Sequence, residues 1–268
     1  MEFFDSHAHY NDKKFETDRS EVISSVKAEG ITRLVSVGYN VDSSEFAQKL
    51  SNEYEIIYYS CGISPNDIPQ TEEELWKDLE KIRKIAQKKH EKLVAIGEIG
   101  LDYYWNKENA ELQKKAFIEQ IKLANELDLP IIIHTREAVA DTIDILKNRQ
   151  KALNCGIFHC CPLNRELVKE ALKLGYYISF AGPITFKNSK NAEEIIEMVP
   201  LDKILIETDS PYLSPEPNRG KRNDSRNVKY MAEKIAEVKG LPLEEIAKIT
   251  YENANRVYKL RNEQLRGE

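Results

Sequence analysis

Hydrophobic positions along the chain fall into two alternating textures. Eight short runs are rich in β-branched or aromatic residues: Phe3–Asp5, Arg33–Val37, Ile56–Cys61, Val94–Gly97, Ile131–His134, Gly156–His159, Tyr177–Phe180 and Ile204–Glu207. Their length and composition predict β-strands. Most are apolar throughout rather than alternating, as expected of strands covered on the outside by helices. The longer segments between them carry a different period. Glu72–Lys88 spaces Leu75, Leu79, Ile82 and Ile85 at three and four residues, and Ala110–Leu127 does the same with Phe117, Ile121 and Ala124. That spacing predicts helices with one apolar face. Glu21–Ala28 reads as a third helix behind the polar start Thr17-Asp18-Arg19-Ser20. Gly30 and Gly175 stand where helices stop. Trp76 is expected on a core-facing helix surface.

Strands alternating with helices predict a parallel sheet. Eight repeats predict that it closes into an α/β fold of the (β/α)8 TIM-barrel type. The open doubly wound alternative is disfavoured because no G-x-G-x-x-G follows the first strand. A loop holding Pro211, Pro215 and Pro217 follows the last strand and leads into closing helices. No linker or low-complexity stretch interrupts the chain, so residues 1–268 are expected to form one domain, a usual size for such a barrel.

Composition changes this picture little. Hydrophobic residues make up 41% and charged residues 31%, ordinary for a globular protein. No apolar run is long enough to span a bilayer. The opening Met1-Glu2-Phe3-Phe4-Asp5 has neither a basic stretch nor a long apolar one. A signal peptide is therefore not expected, and a cytoplasmic location is. Cys61, Cys155, Cys160 and Cys161 contain no C-x-x-C spacing and are expected to be reduced thiols. Cys160 and Cys161 are read as packing residues. The net charge of −6 argues against binding duplex DNA by charge alone. The local stretch Arg219–Arg226 could contact nucleic acid or be a solvated basic loop.

The placement of the histidines carries the chemistry. There are five. His7 and His9 follow the first strand two residues apart, a spacing that turns both imidazoles to one side. Glu98 ends the fourth strand, His134 the fifth and His159 the sixth, and Asp209 follows the eighth. In a barrel these points converge on the C-terminal face, where such enzymes keep their active sites. Four histidines and two carboxylates suffice for two divalent ions sharing a bridging carboxylate, a pair suited to hydrolysis. His90, among lysines at a helix end, is expected at the surface. Trp105, with Tyr103 and Tyr104, either stacks on a base or packs as a lid over the barrel mouth.

These motifs resemble the TatD family of metal-dependent deoxyribonucleases, within the amidohydrolase-like barrels. The resemblance runs from Phe4 to about Tyr258, most specifically in Ala95–Tyr104 (AIGEIGLDYY), Pro130–Ala138 (PIIIHTREA), Tyr177–Asn188 (YISFAGPITFKN) and Leu205–Asn223. It implies two divalent ions, magnesium, manganese or zinc. His7, His9, Glu98 and Asp209 would hold one, and Glu98, His134 and His159 the other, with Glu98 bridging. Glu98 and Asp209 would be the catalytic carboxylates, Asp209 orienting or deprotonating the attacking water. Tyr103, Arg136 and Arg219 would contact substrate. The implied reaction is phosphodiester hydrolysis, often from the 3′ end, on single-stranded ends of DNA, with neither membrane nor obligate protein partner. Glutamate rather than carbamylated lysine at the fourth strand sets this family apart from many amidohydrolases. Three blocks depart from the family pattern: Gly62-Ile63-Ser64-Pro65 lacks the usual histidine, Cys160-Cys161-Pro162-Leu163 replaces the stretch after the sixth-strand histidine, and Asp224-Ser225 replaces Glu-Pro. They keep open an alternative substrate: a small phosphoester, a lactone or a D-aminoacyl-tRNA ester.

Overall fold

A computed structural model describes residues 1–260. Eight strands run β1 Phe3–Ala8, β2 Ile31–Val37, β3 Ile57–Cys61, β4 Leu93–Asp102, β5 Ile131–Arg136, β6 Gly156–Phe158, β7 Tyr177–Phe180 and β8 Ile204–Ile206. They form one sheet in sequence order, and every adjacent pair is parallel. The sheet curls into a nearly closed barrel. Its seam is made just beyond β8, where Ala8 bridges Ser210, Asp209 N–H donates to His7 O at 2.9 Å, and His9 N–H donates to Ser210 O at 2.6 Å.

The α-helices of the described residues are α1 Arg19–Ala28, α2 Val41–Glu53, α3 Glu72–Gln87, α4 Ala110–Glu126, α5 Val139–Asp144, α6 Arg165–Lys173, α7 Ala192–Met198, α8 Val228–Lys239 and α9 Leu243–Val257, with short helical turns between some of the elements. The expected helices agree to within two residues at each end. Trp76 is a correction. The buried stripe of α3 is Leu75, Leu79, Ile82, Ile85 and Ala86. Trp76, one helical step of about 100° off Leu75, leaves that stripe. It is 46% exposed, with Nε1–H 3.3 Å from Glu72 Oε1.

Two apolar clusters show how strand parity builds the barrel. One lies between sheet and helices and takes Leu34, Ile57, Ile131, Ile133, Phe158, Ile178, Ile204 and Ile206 from the strands. The other fills the lumen with Phe4, Val35, Val94, Ile132, Ile157, Tyr177 and Leu205, and is closed at the N-terminal end by Ala254, Val257 and Tyr258 of α9 and its C-terminus. Side chains two apart share a face. His134 therefore follows Ile132 into the lumen, His159 follows Ile157, and Glu207 follows Leu205.

Parity counted from Phe4 would not aim His7, and along β4 parity is already broken once before Glu98, since Tyr59 pairs with Leu93 but Ser60 with Ala95. Asp5 pairs with Leu34 but Ala8 with Ser36, so β1 holds one extra residue between them. Ile96 pairs with Ile131 but Ile99 with Ile133, so β4 does the same. Each is a bulge, which re-aims side chains at the point of insertion. Both strands also extend past their expected ends, so His7 and Glu98 lie inside strands rather than just after or at the ends of them. Among the described residues no helix is long and apolar enough to cross a membrane.

Candidate metal centre

Six side chains meet at the C-terminal mouth. His7 Nε2 and His9 Nε2 are 3.1 Å apart. Glu98 Oε2 lies 3.6 Å from the first and 3.7 Å from the second, and Asp209 Oδ1 lies 3.5 and 3.3 Å from them. The other oxygen of the same glutamate, Oε1, faces His134 Nδ1 at 3.2 Å and His159 Nε2 at 3.7 Å, and those two nitrogens are 3.2 Å apart. One carboxylate thus stands between two donor groups, an oxygen toward each. Three overlapping sets that could hold a metal ion follow: His7, His9 and Glu98; His7, His159 and Asp209; Glu98, His134 and His159.

The donor set fits divalent cations. Ligands at about 2.0–2.1 Å in tetrahedral array lie roughly 3.3 Å from one another, close to the separations here. Ring nitrogens held near 3.1 Å repel unless a proton or a cation lies between them. Without a cation, protons would have to take that place. Burial would lower the His9 pKa, but the Asp209 hydrogen bond and the Asp209 and Glu98 charges override it and push it up to about 9. Burial opposes the charged form of His134 too, yet Asp102 and Glu98 push it up to about 9. For His159 burial again acts downward, and Glu98 and Glu207 win, raising it. His7 is held well below the usual range by burial and by the charges of His159 and His9. Burial works to raise Glu98, but His159 and His134 hold its carboxyl well below the usual range.

Two further carboxylates stand behind the histidines. Asp102 Oδ2 lies 2.9 Å from His134 Nε2. Glu207 Oε1 lies 3.3 Å from His159 Nδ1 and accepts the Cys160 N–H at 2.6 Å. The His159 contact is one of charge rather than an aligned hydrogen bond. His9 Nδ1 meets the Val37 carbonyl at 3.0 Å. Glu98, Asp209, Asp102 and Glu207 carry four negative charges when ionised, matching two divalent cations. Asp102 and Glu207 were not among the expected site residues. Their signal was parity: Asp102 lies four residues from Glu98, and Glu207 two from Asp209.

A family model described as TatD related DNase matches residues 4–259. The chain belongs to this TatD family. It is 46% identical to the metal-dependent hydrolase YabD of Bacillus subtilis over 258 residues, 96% of this chain and 99% of that one. It is 37% identical to the metal-dependent hydrolase YcfH of Escherichia coli K12, covering 96% of each. The fold matches the crystal structure of the TatD homolog YJJV of E. coli with a TM-score of 0.90 at 24% identity, over 97% of this chain and 98% of that one. The chain is thus a TatD-family metal-dependent hydrolase.

The residues expected around the TatD-type centre have separate fates. Arg136 is exposed at the end of β5, its guanidinium 3.6 Å from the Tyr104 ring centroid. Tyr103 donates its hydroxyl to Asp141 Oδ2 at 2.7 Å. Arg219 is exposed and stands 4.2 Å over the Phe186 ring. The basic stretch is partly neutralised, since Arg222 pairs with Asp18 and Arg226 with Asp224. The three departures from the family pattern have structural partners. Ser64 Oγ accepts the Asn66 N–H in a short turn, the Cys161 N–H donates to Ser179 O at 3.0 Å, and in the third block Ser225 Oγ donates to Asp5 Oδ2 while Asp224 holds Arg226. The four cysteines are free. Burial, then the facing Asp209 and Glu207 carboxylates, push the Cys160 thiol well above its usual range, so it stays protonated. A cleft of about 770 Å³ opens at the opposite end of the barrel beside Arg33, Tyr58 and Tyr251, and holds none of these ligands.

Proposed function

We propose that this chain is a deoxyribonuclease that hydrolyses phosphodiester bonds from the 3′ end of unpaired DNA strands, using two divalent ions, magnesium, manganese or zinc. The observation that carries the reading is Glu98, with one oxygen toward His7 and His9 and the other toward His134 and His159. His7, His9, Glu98 and Asp209 would hold one ion, and Glu98, His134 and His159 the second. Bound there, such ions would supply activation of water and offset charge on the oxygens of a phosphoryl displacement.

The chain's own groups supply the rest. Asp209 is half-buried and borders the mouth, and it orients the attacking water and takes its proton. Its backbone sits at φ 56°, a costly setting for a non-glycine residue. That setting is held by the seam bond from Asp209 N–H to His7 O and by the Tyr212 N–H donating to Asp209 O. Arg136 and Arg219 are the exposed cations assigned to substrate phosphates, with Tyr103, whose N–H donates to Arg136 O, as a third contact. The family description, TatD related DNase, supports DNA as the substrate.

The test is cleavage of a 5′-labelled single-stranded oligodeoxynucleotide with magnesium, manganese or zinc in turn, and Glu98→Ala as control. A ladder shortened from the 3′ end and lost in the variant is the expected result. No cleavage with any of the three ions would sink the nuclease reading and send the substrate search to phosphoesters, lactones and D-aminoacyl-tRNA esters.

A further inference from the structure

The loop after β4 and the metal centre hang from one carboxylate. Asp102 is fully buried at the end of β4. Its Oδ1 accepts the backbone N–H of Tyr104 at 2.9 Å and of Trp105 at 3.1 Å. Its Oδ2 faces His134. Buried Gln113 of α4 straps the same loop from below, donating from Nε2 to Asp102 O at 3.0 Å and Asn106 O at 2.8 Å, and accepting the Asp102 N–H at 2.8 Å. The loop backbone is thus fixed, yet it presents its rings to water. Trp105 is 68% exposed and Tyr104 is 50% exposed, with the rings edge to face at 4.8 Å. A lid packed on the mouth would bury them. Arg136 covers Tyr104 and stands 5.6 Å from the Trp105 ring. The large exposed area of Trp105 is left open beside a cation.

A flat ring on a fixed backbone next to a guanidinium suits one chemical class, a planar base carried on a phosphodiester chain. Stacking on such a ring tolerates any base, and the cation answers the phosphate. We propose that Tyr104, Trp105 and Arg136 form a stacking subsite for an unpaired nucleobase of the substrate, held in register with the metal centre by Asp102. The inference rests on the deoxyribonuclease reading and deepens it. Bases inside a duplex already stack on their neighbours, so this subsite selects single strands and frayed ends.

The chain has two tryptophans, so Trp76→Phe leaves Trp105 as the only one. Metal-loaded Trp76→Phe protein is mixed in a stopped-flow instrument with a single-stranded oligodeoxynucleotide or with the same strand carrying abasic sites at its 3′ end. Fluorescence quenching within the mixing phase by the base-bearing strand and not by the abasic one is expected. In steady state Trp105→Ala should raise KM about five- to hundredfold with a smaller change in kcat, and Trp105→Phe should recover most of it. Cleavage that proceeds with unchanged KM and no quench overturns the subsite and leaves the nuclease reading intact. Equal quenching by both strands also overturns it, because charge alone would explain binding. Base-dependent quenching without cleavage by any metal keeps the subsite and removes the nuclease reading. Absence of both removes both.

Discussion

His134 and His159 each turn one ring nitrogen inward and face a carboxylate with the other, whereas His9 has only a carbonyl and the outer nitrogen of His7 has no hydrogen-bond partner. A carboxylate behind a ligating imidazole fixes its orientation and raises its basicity, and removing one costs about 10–100-fold in metal affinity. Asp102→Asn should therefore weaken binding at the Glu98/His134/His159 position by roughly that factor. Glu207→Gln should cost less, because its contact with His159 is longer and poorly aligned. Calorimetric titration with zinc or manganese reads this as the weakening of one binding event of two; two unaltered events would remove Asp102 from the role. The protons on the same rings set the pH dependence. His9 and His134, both near 9, are charged at neutral pH and must lose their protons to bind a metal. Binding near pH 7 should release two protons or more, since His159 is raised as well, and affinity should rise as pH is raised toward 9. Titration in buffers of differing ionisation enthalpy counts those protons, and a count near zero would contradict the assignment.

Alternation along β5, β6 and β8 makes part of the site legible in the sequence alone: Ile132 and His134, Ile157 and His159, and Leu205 and Glu207 share the lumen face by period two. Along β4 the same arithmetic is broken twice, by an extra residue between Leu93 and Ala95 and another between Ile96 and Ile99, and Glu98 returns to the lumen face of Val94 only because the two cancel. An insertion of one residue leaves no trace in hydrophobic pattern, because apart from Glu98 the run from Leu93 to Leu101 is apolar on either face. Trp76 misleads for a related reason, since α3 is amphipathic enough that its stripe ends one residue short of the ring. The β4 irregularity is also a place where the chain tolerates little. Gly100 sits at φ +140°, and a Cβ there would come 2.0 Å from the His134 carbonyl oxygen. Gly100→Ala should cost about 3 kcal/mol of stability, combining the strain of that conformation with overpacking against backbone. Urea denaturation of the metal-free protein measures it, and a loss under about 1 kcal/mol would mean that β4 and β5 part more easily than their pairing indicates.

At the scale of the whole molecule the ligands straddle the weakest closure of the barrel. His7 and His9 come from β1 and the residues after it, Asp209 from the segment beyond β8, and the seam between them is one bridge with a few hydrogen bonds. An ion held by residues on both sides of that seam fastens it, and Glu98 extends the fastening to β4. Binding that favours the folded chain adds about 2.7 kcal/mol at a hundredfold excess over Kd. In a chain of this size that corresponds to a rise in Tm of roughly 5–10 °C. Chelation of the loaded protein should reverse the rise, and Glu98→Ala should lose most of it because both donor groups share that residue. Hydrogen exchange should place the gain at β1 and the segment following β8, with little change in α3 or α4. A Tm shift that persists in Glu98→Ala, or protection spread evenly over the barrel, would mean that the ions bind elsewhere and that the cluster is a proton-filled polar core. Protection confined to the seam would tie the two functions of these side chains together, since the residues assigned to the water and the phosphate would be the ones that hold the barrel shut.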